Sequence, residues 1–282
     1  MTALPKIAVA AKSPLEVVMP AEQTVPVVFA SPHSGADYPT DFVAGSRLAF
    51  AALRRSEDSF VDELFAAAPA HGAPLLRALF PRAFIDPNRE PFELDPGMFE
   101  DALPAYANTA SPRVAAGLGT IAKVVASGED IYAGPLRFAE AQRRIELYYR
   151  PYHAALHEVL TATRARFGAC LLVDCHSMPS VGAPMERDAG RPRVDFVLGD
   201  CHAASCAALV IDRAEVVLRD LGYNVARNTP YSGGFVTEHY GRPADGLHAL
   251  QIEINRGLYM DEVAISRGPG FAALAERLKT LI

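Results

Sequence analysis

Apolar residues recur along this chain in two rhythms. Short runs rich in Val, Ile, Leu and Phe, closed by polar or glycine-containing turns, mark strands buried on both faces of a parallel or mixed sheet. They predict strands near residues 27–30, 79–85, 170–174, 196–198, 223–226 and 248–254. Elsewhere the apolar positions return every three or four residues, the period of a helix with one buried stripe. Ser56-Glu57-Asp58-Ser59 ahead of Phe60, Val61, Leu64 and Phe65 predicts a helix with acidic residues in its first turn. Residues 203–220 and 270–282 predict two more. The stretch 137–167 places Ile145, Tyr148, Tyr149, Tyr152, Leu156, Val159, Leu160 and Thr163 at helical intervals, and Pro151 predicts a kink or a fresh start within it. Residues 90–133 are rich in turn formers, which predicts a long excursion with one short helix around 114–125. Strands alternating with helices, without repeat or linker, imply a single α/β domain: a mixed, mostly parallel sheet flanked by helices, with residues 1–24 as an N-terminal extension.

Composition narrows the function. The chain has 282 residues, half of them hydrophobic, enough to bury a core without disulfides. Its apolar runs fall well short of the ~18 residues of a membrane span. Thirty-three acidic against 27 basic residues leave a net charge of −6, and no Lys/Arg block appears. Nucleic acid and anionic lipid are therefore poor partners, and a small molecule is the expected one. Cys170, Cys175, Cys201 and Cys206 are too few for a disulfide framework and form no CxxC pair, which suits a reducing compartment. The apolar stretch before Lys12 is shorter than the ~7–15 residues of a secretory signal, so the cytoplasm is the expected location.

Three apolar runs end in unusual chemistry: VVFASPHSG with His33, LLVDCHS with His176, and LQIEINR with Glu253 and Arg256. Beyond the carboxyl ends of parallel strands such groups converge on one crevice, and neutral imidazole there is a leading zinc ligand. A catalytic zinc site usually takes three protein ligands, so an acid is required. Glu57 and Asp58, shortly after the first His, are the candidates. FIDPNRE presents Asn88 and Arg89, and a guanidinium fork grips a carboxylate with two parallel hydrogen bonds. Cys175 beside His176 imitates a nucleophile pair, but neighbouring strand residues point to opposite faces, which makes it a buried structural thiol. His153 and His157 lack the intervening acid of a metalloprotease helix and read as packing residues. Gly117-Leu118-Gly119 has no preceding strand, so it is no dinucleotide fingerprint. Gly233-Gly234 permits a special turn, and Thr237, His239, Tyr240 and Arg242 after it suggest a substrate-covering loop.

SPHSG at 31–35, SEDSFVD at 56–62, FIDPNRE at 84–90, YYRPYHAAL at 148–156, VDCHSMPS at 173–180, GGFVTEHYGRP at 233–243 and LQIEINRGLYMDE at 250–262 together resemble the N-formylglutamate amidohydrolase family. The resemblance runs from about residue 25 to the C-terminus. It implies a carboxypeptidase-like, phosphorylase/hydrolase-type α/β fold, one zinc ion per chain, and hydrolysis of N-formyl-L-glutamate to formate and L-glutamate, a last step of histidine degradation. It further implies His33, His176 and Asp58 as metal ligands, Glu253 as general base, and Asn88 and Arg89 as the clamp for the substrate α-carboxylate. Related carboxypeptidases carry the acidic ligand three residues after the first His, where this chain has Ala36. FVLGDCHAASC departs from the family's G-D-R-x-G-x-S, with Cys201 in place of Arg and Ala203 in place of Gly. Arg82, Arg144 and Arg256 are candidates to stabilise the tetrahedral oxyanion. A deacylase of another N-acyl amino acid and a small carboxypeptidase are the alternative activities. Glu253 argues against a non-catalytic binding protein, because binding alone needs no base.

Overall fold

In the computed structural model, residues 13–183 and 188–282 are described. Among the described residues nine strands form: β1 (Leu15–Val18), β2 (Val27–Ser31), β3 (Leu75–Ala78), β4 (Cys170–Met178), β5 (Phe196–Gly199), β6 (Val225–Arg227), β7 (Leu247–Asn255), β8 (Met260–Asp261) and β9 (Ser266–Arg267). The first seven make one sheet in the order β1-β3-β2-β4-β7-β5-β6, and the last two a small ribbon. Strands β3, β2, β4 and β7 run parallel, β1 is antiparallel at one edge, and the parallel pair β5–β6 opposes β7. The predicted mixed, mostly parallel α/β sheet is borne out.

The α-helices are α1 (Thr40–Gly45), α2 (Phe50–Leu53), α3 (Val61–Leu64), α4 (Pro112–Ala115), α5 (Phe138–Arg144), α6 (Arg150–Phe167), α7 (Ala208–Asp220), α8 (Phe235–Tyr240) and α9 (Phe271–Leu281). They cover both faces. One core gathers Val28, Ala30, Leu172 and Ala249 of the sheet with Tyr152, Leu156 and Leu160 of α6 and Val236 of α8. The other gathers Phe29, Val173, Leu250 and Ile252 with Leu64 of α3, Ile211 of α7 and Leu274 of α9. The period of two along β4 and β7 thus splits their side chains between two cores.

Several predicted elements change form. The strand expected at 79–85 stops at Ala78: Pro81 has no N–H for a ladder, and its carbonyl instead accepts from the backbone N–H groups of Phe84 and Ile85. Phe80, Ala83, Phe84 and Ile85 are still buried, so the apolar run reported burial rather than strand pairing. The helix expected after Ser56 shrinks to one turn, because Glu57 is extended and Phe60 is left-handed at φ 69°. The helix expected from residue 203 begins at Ala208, after the consecutive left-handed residues Cys201, His202 and Ala203. The helix expected at 114–125 is the four-residue α4. Pro151 sits in the first turn of α6, directly after a π-helical turn at Ile145–Tyr149 that joins α5 to α6. The N-terminal extension contributes an unpredicted strand, β1. Among the described residues no helix is long and apolar enough to cross a membrane.

Candidate active site

Strand β4 carries Asp174 and His176 on the same face as Leu172, and β7 carries Gln251 and Glu253 on the same face as Ala249. His176 and Glu253 are direct register partners. Strand β4 runs past its expected end at residue 174 to Met178, so His176, like Glu253 of β7, lies within the last residues of its strand rather than past its end. His33 follows β2 by two residues, and its carbonyl accepts from the backbone N–H of Asp58 at 3.0 Å, which draws the 57–59 segment over the strand ends.

His33, Asp58 and His176 meet there, all buried, with one donor atom from each lying within 4.8 Å of the others. Asp58 Oδ2 is 3.3 Å from His33 Nδ1 and 3.1 Å from His176 Nδ1. The far nitrogens face carboxylates: His33 Nε2 is hydrogen-bonded to Asp86 Oδ1 at 2.7 Å, while His176 Nε2 lies 3.0 Å from Asp174 Oδ1 as an ion-pair contact without hydrogen-bond geometry. Asp58 Oδ1 accepts from Arg256 Nη2 at 3.0 Å, while Arg256 Nε donates to Ser177 Oγ. Two imidazoles held from behind, with Nδ1 turned toward one carboxylate oxygen, are a donor set suited to a divalent ion such as zinc.

The electrostatics agree. Burial alone would drive a proton off His176, yet Asp174, Asp58 and Glu253 outweigh it and hold the imidazole well above the usual histidine range. Burial works against the Asp58 anion, but the two imidazoles keep its carboxyl well below the usual carboxylate range. Asp86 behaves likewise, with Arg82 and His33 overcoming burial. The cluster attracts positive charge, and a metal ion would take the place of a proton there. Glu253 stands apart: burial pushes it up to about 7, with Asp58 adding to the rise and His176, Arg82 and Arg256 opposing it. A carboxylate poised there is suited to proton transfer near neutrality.

Glu57, the competing acid, is occupied elsewhere: its oxygens accept from Arg54, Tyr38 and Ser59. Asn88 is buried against the cluster, with Nδ2 3.2 Å from His176 Nε2 and Oδ1 accepting from Val236 N at 2.7 Å. A Cβ at Gly234 would lie 2.3 Å from that amide, so close approach demands glycine there although its backbone is extended, whereas it is Gly233, at φ 136°, that needs glycine for its backbone. Arg89 donates to the carbonyls of Leu118 and Asn88, and burial lowers its pKa to about 10. Arg82 donates to Asp86 Oδ2 at 2.8 Å.

Two candidates sit differently from expectation. Arg144 donates to Phe84 O, Tyr132 Oη and Glu140, beneath the 84–89 segment. Thr237 is fully buried and donates to Asp174 Oδ2 at 3.0 Å. The covering loop expected around Thr237 and Tyr240 is instead the packed helix α8. Cys175 lies in the opposite core, its thiol raised well above the usual range by burial, and His157 is exposed while His153 bonds Tyr240 and Pro87. Asp86 and Asp174 are the residues that sequence reasoning missed. Their signal was an acid two residues before a site side chain, Asp86 before Asn88 and Asp174 before His176.

Comparison with known proteins gives the family. Residues 25–260 match the family model for N-formylglutamate amidohydrolase. The N-formylglutamate deformylase of Pseudomonas putida is 31% identical over 241 residues, covering 84% of this chain and 83% of that protein. Its Pseudomonas aeruginosa counterpart is 31% identical over 243 residues, with 85% and 84% covered. The crystal structure of N-formylglutamate amidohydrolase from Ralstonia eutropha superposes with a TM-score of 0.87 at 42% identity, covering 96% of this chain and 95% of that one. A gene product of Agrobacterium tumefaciens shares the fold at TM-score 0.63 and 22% identity, with 96% and 95% covered. The chain belongs to the N-formylglutamate amidohydrolase family.

Proposed function

We propose that this protein is a zinc-dependent amidohydrolase that cleaves N-formyl-L-glutamate to formate and L-glutamate within histidine degradation. The observation that carries the reading is the buried His33–Asp58–His176 donor set with Glu253 in register beside His176. An ion held by His33 Nδ1, Asp58 and His176 Nδ1 supplies, when bound, Lewis acidity toward the formyl carbonyl and acidifies water. Glu253 removes a proton from the attacking water and returns one to the nitrogen as the C–N bond breaks. The water oxygen ends on formate and the proton on the glutamate amine. Arg89 grips the α-carboxylate, and Asn88 fixes the clamp beside the cluster. Arg82, which neighbours Asp86, Asp58 and Glu253, is the cation placed to hold the tetrahedral oxyanion.

A second reading, deacylation of a different N-acyl amino acid, is favoured by one observation. Neutral Cys201 stands where the family pattern has Arg, packed so close to Gly233 that a Cβ there would lie 2.6 Å from its Sγ. Formate release from N-formylglutamate, beside turnover of N-acetylglutamate and a dipeptide, separates the two. In the same assay Glu253→Gln should keep one metal per chain while kcat falls by ~10²–10⁴. His33→Ala, Asp58→Ala and His176→Ala should lose metal and activity together. Full turnover in any of the four removes that residue from the mechanism.

A further inference from the structure

The 84–89 segment carries Asp86, Asn88 and Arg89 but belongs to no strand, so its carbonyls have no ladder to satisfy them. One helical unit does so instead. Arg144 Nη1 donates to Phe84 O at 2.9 Å, His153 Nε2 is 2.9 Å from Pro87 O, and Tyr149 Oη donates to Arg89 O at 2.8 Å. Since a carbonyl only accepts, Nε2 of His153 carries the proton, and Nδ1 accepts from Tyr240 Oη at 2.9 Å. Burial lowers His153 to about 4, which keeps it neutral and in this tautomer across the neutral range.

The three side chains share a face only because of the π-helical turn. At 3.6 residues per turn, a step of five residues from 144 to 149 would land about 140° around an α-helix. The i→i+5 bonding at Ile145–Tyr149 absorbs the extra residue, and His153 then follows Tyr149 at the ordinary i,i+4 spacing. Pro151, one residue beyond Arg150, has no N–H to lose at the interruption.

We propose that Arg144, Tyr149 and His153 are positioning residues: a single helix face, brought into line by the π turn, that sets segment 84–89 and so aims Arg89 at the substrate α-carboxylate. The proposal rests on the reading of Arg89 as that clamp. The residues touch the segment's carbonyls and act on substrate through it. His153 also ties the segment to α8, whose Val236 N–H holds Asn88 from the other side.

The test compares kcat and KM for N-formylglutamate and for its α-amide, with metal content measured for each enzyme. Tyr149→Phe and His153→Leu should raise KM for the acid about tenfold, the worth of one well-placed hydrogen bond, with kcat little changed. The α-amide should be turned over as by wild type, and metal should stay at one per chain. His153→Gln, which can still donate to Pro87 O and accept from Tyr240, should restore most of the loss. Equal losses on acid and amide, loss of metal, or no loss at all would overturn the positioning role. Arg89→Lys serves as the reference: if it also treats acid and amide alike, the clamp reading fails and the positioning role falls with it.

Discussion

At the cluster each imidazole is engaged at both nitrogens, so the group behind the ligand matters nearly as much as the ligand. Asp86 accepts from Arg82 Nη2 and from the backbone N–H of Asn88 while facing His33 Nε2, and therefore sets the ring's tautomer and the loop together. Asp86→Asn should weaken metal affinity about 10–100-fold, the usual cost of losing such a partner. Competition against a chelator measures it, and wild-type affinity would show that His33 is oriented by packing alone. His33, His176 and Glu253 were legible in the sequence because ionisable groups rarely close an apolar run without a reason, whereas Asp58 was one of two neighbouring acids, told apart only because Glu57 is held by Arg54, Tyr38 and Ser59. Asp86 was hidden because Asp-Pro-Asn is also good turn chemistry. Arg144 and a substrate-facing arginine look the same in sequence, and only the carbonyl of Phe84 tells them apart.

Among the elements, β4 and β7 were readable because both faces of a central parallel strand are apolar, and the misread run at 79–85 failed for the same cause. Buried turns and buried strands share composition, and they differ in where the backbone hydrogen bonds go. The turn from Cys201 to Ala203 shows the converse, local chemistry that the helical period concealed. Asp200 supports it, with Oδ1 accepting from Ala203 N and its carbonyl from Ala204 N and Ser205 N. Ala203 has φ 70°, which costs an L-residue with a Cβ about 1–2 kcal/mol. Glycine relieves that strain but gives back about 0.4–1 kcal/mol through the unfolded chain. Ala203→Gly should thus stabilise the protein by about 0.5–1 kcal/mol, read from the urea midpoint at unchanged slope. A lower midpoint would mean that the Ala203 methyl is held by contacts worth more than the strain.

For the molecule as a whole, partly buried His153 links stability to pH. Tyr149, Tyr152, Tyr240, His239 and Asp174 are titratable groups around it, and the carbonyl of Pro87 holds its proton. Its folded pKa, about 4, lies below the unfolded value near 6.5, so the unfolded chain binds the proton first. The contribution is complete above about pH 6.5 and is lost as pH falls toward 4, about 3 kcal/mol in all. Asp58 and Asp86, held below the usual range, give way only at lower pH. Glu253, held up at about 7, takes its proton in the folded protein first and offsets this loss over the same window, so the share of His153 is read as a difference. In urea unfolding at pH 7.5, 5.5 and 4.5 the wild type should lose stability relative to His153→Gln as pH falls. Parallel profiles would assign the acid sensitivity to other groups.

Strand β1 lies outside the residues matched to the family, yet it pairs along the whole of β3 and sets Glu16 against Arg77. Without it β3 would present a bare row of N–H and C=O groups beside Leu75 and Leu76, a template for pairing with another chain. A chain begun at residue 25 should therefore retain turnover but grow in light scattering as concentration rises, whereas a monodisperse signal would show that β3 needs no cover. By occupying that edge, four residues remote from the chemistry act as the protein's guard against its own aggregation.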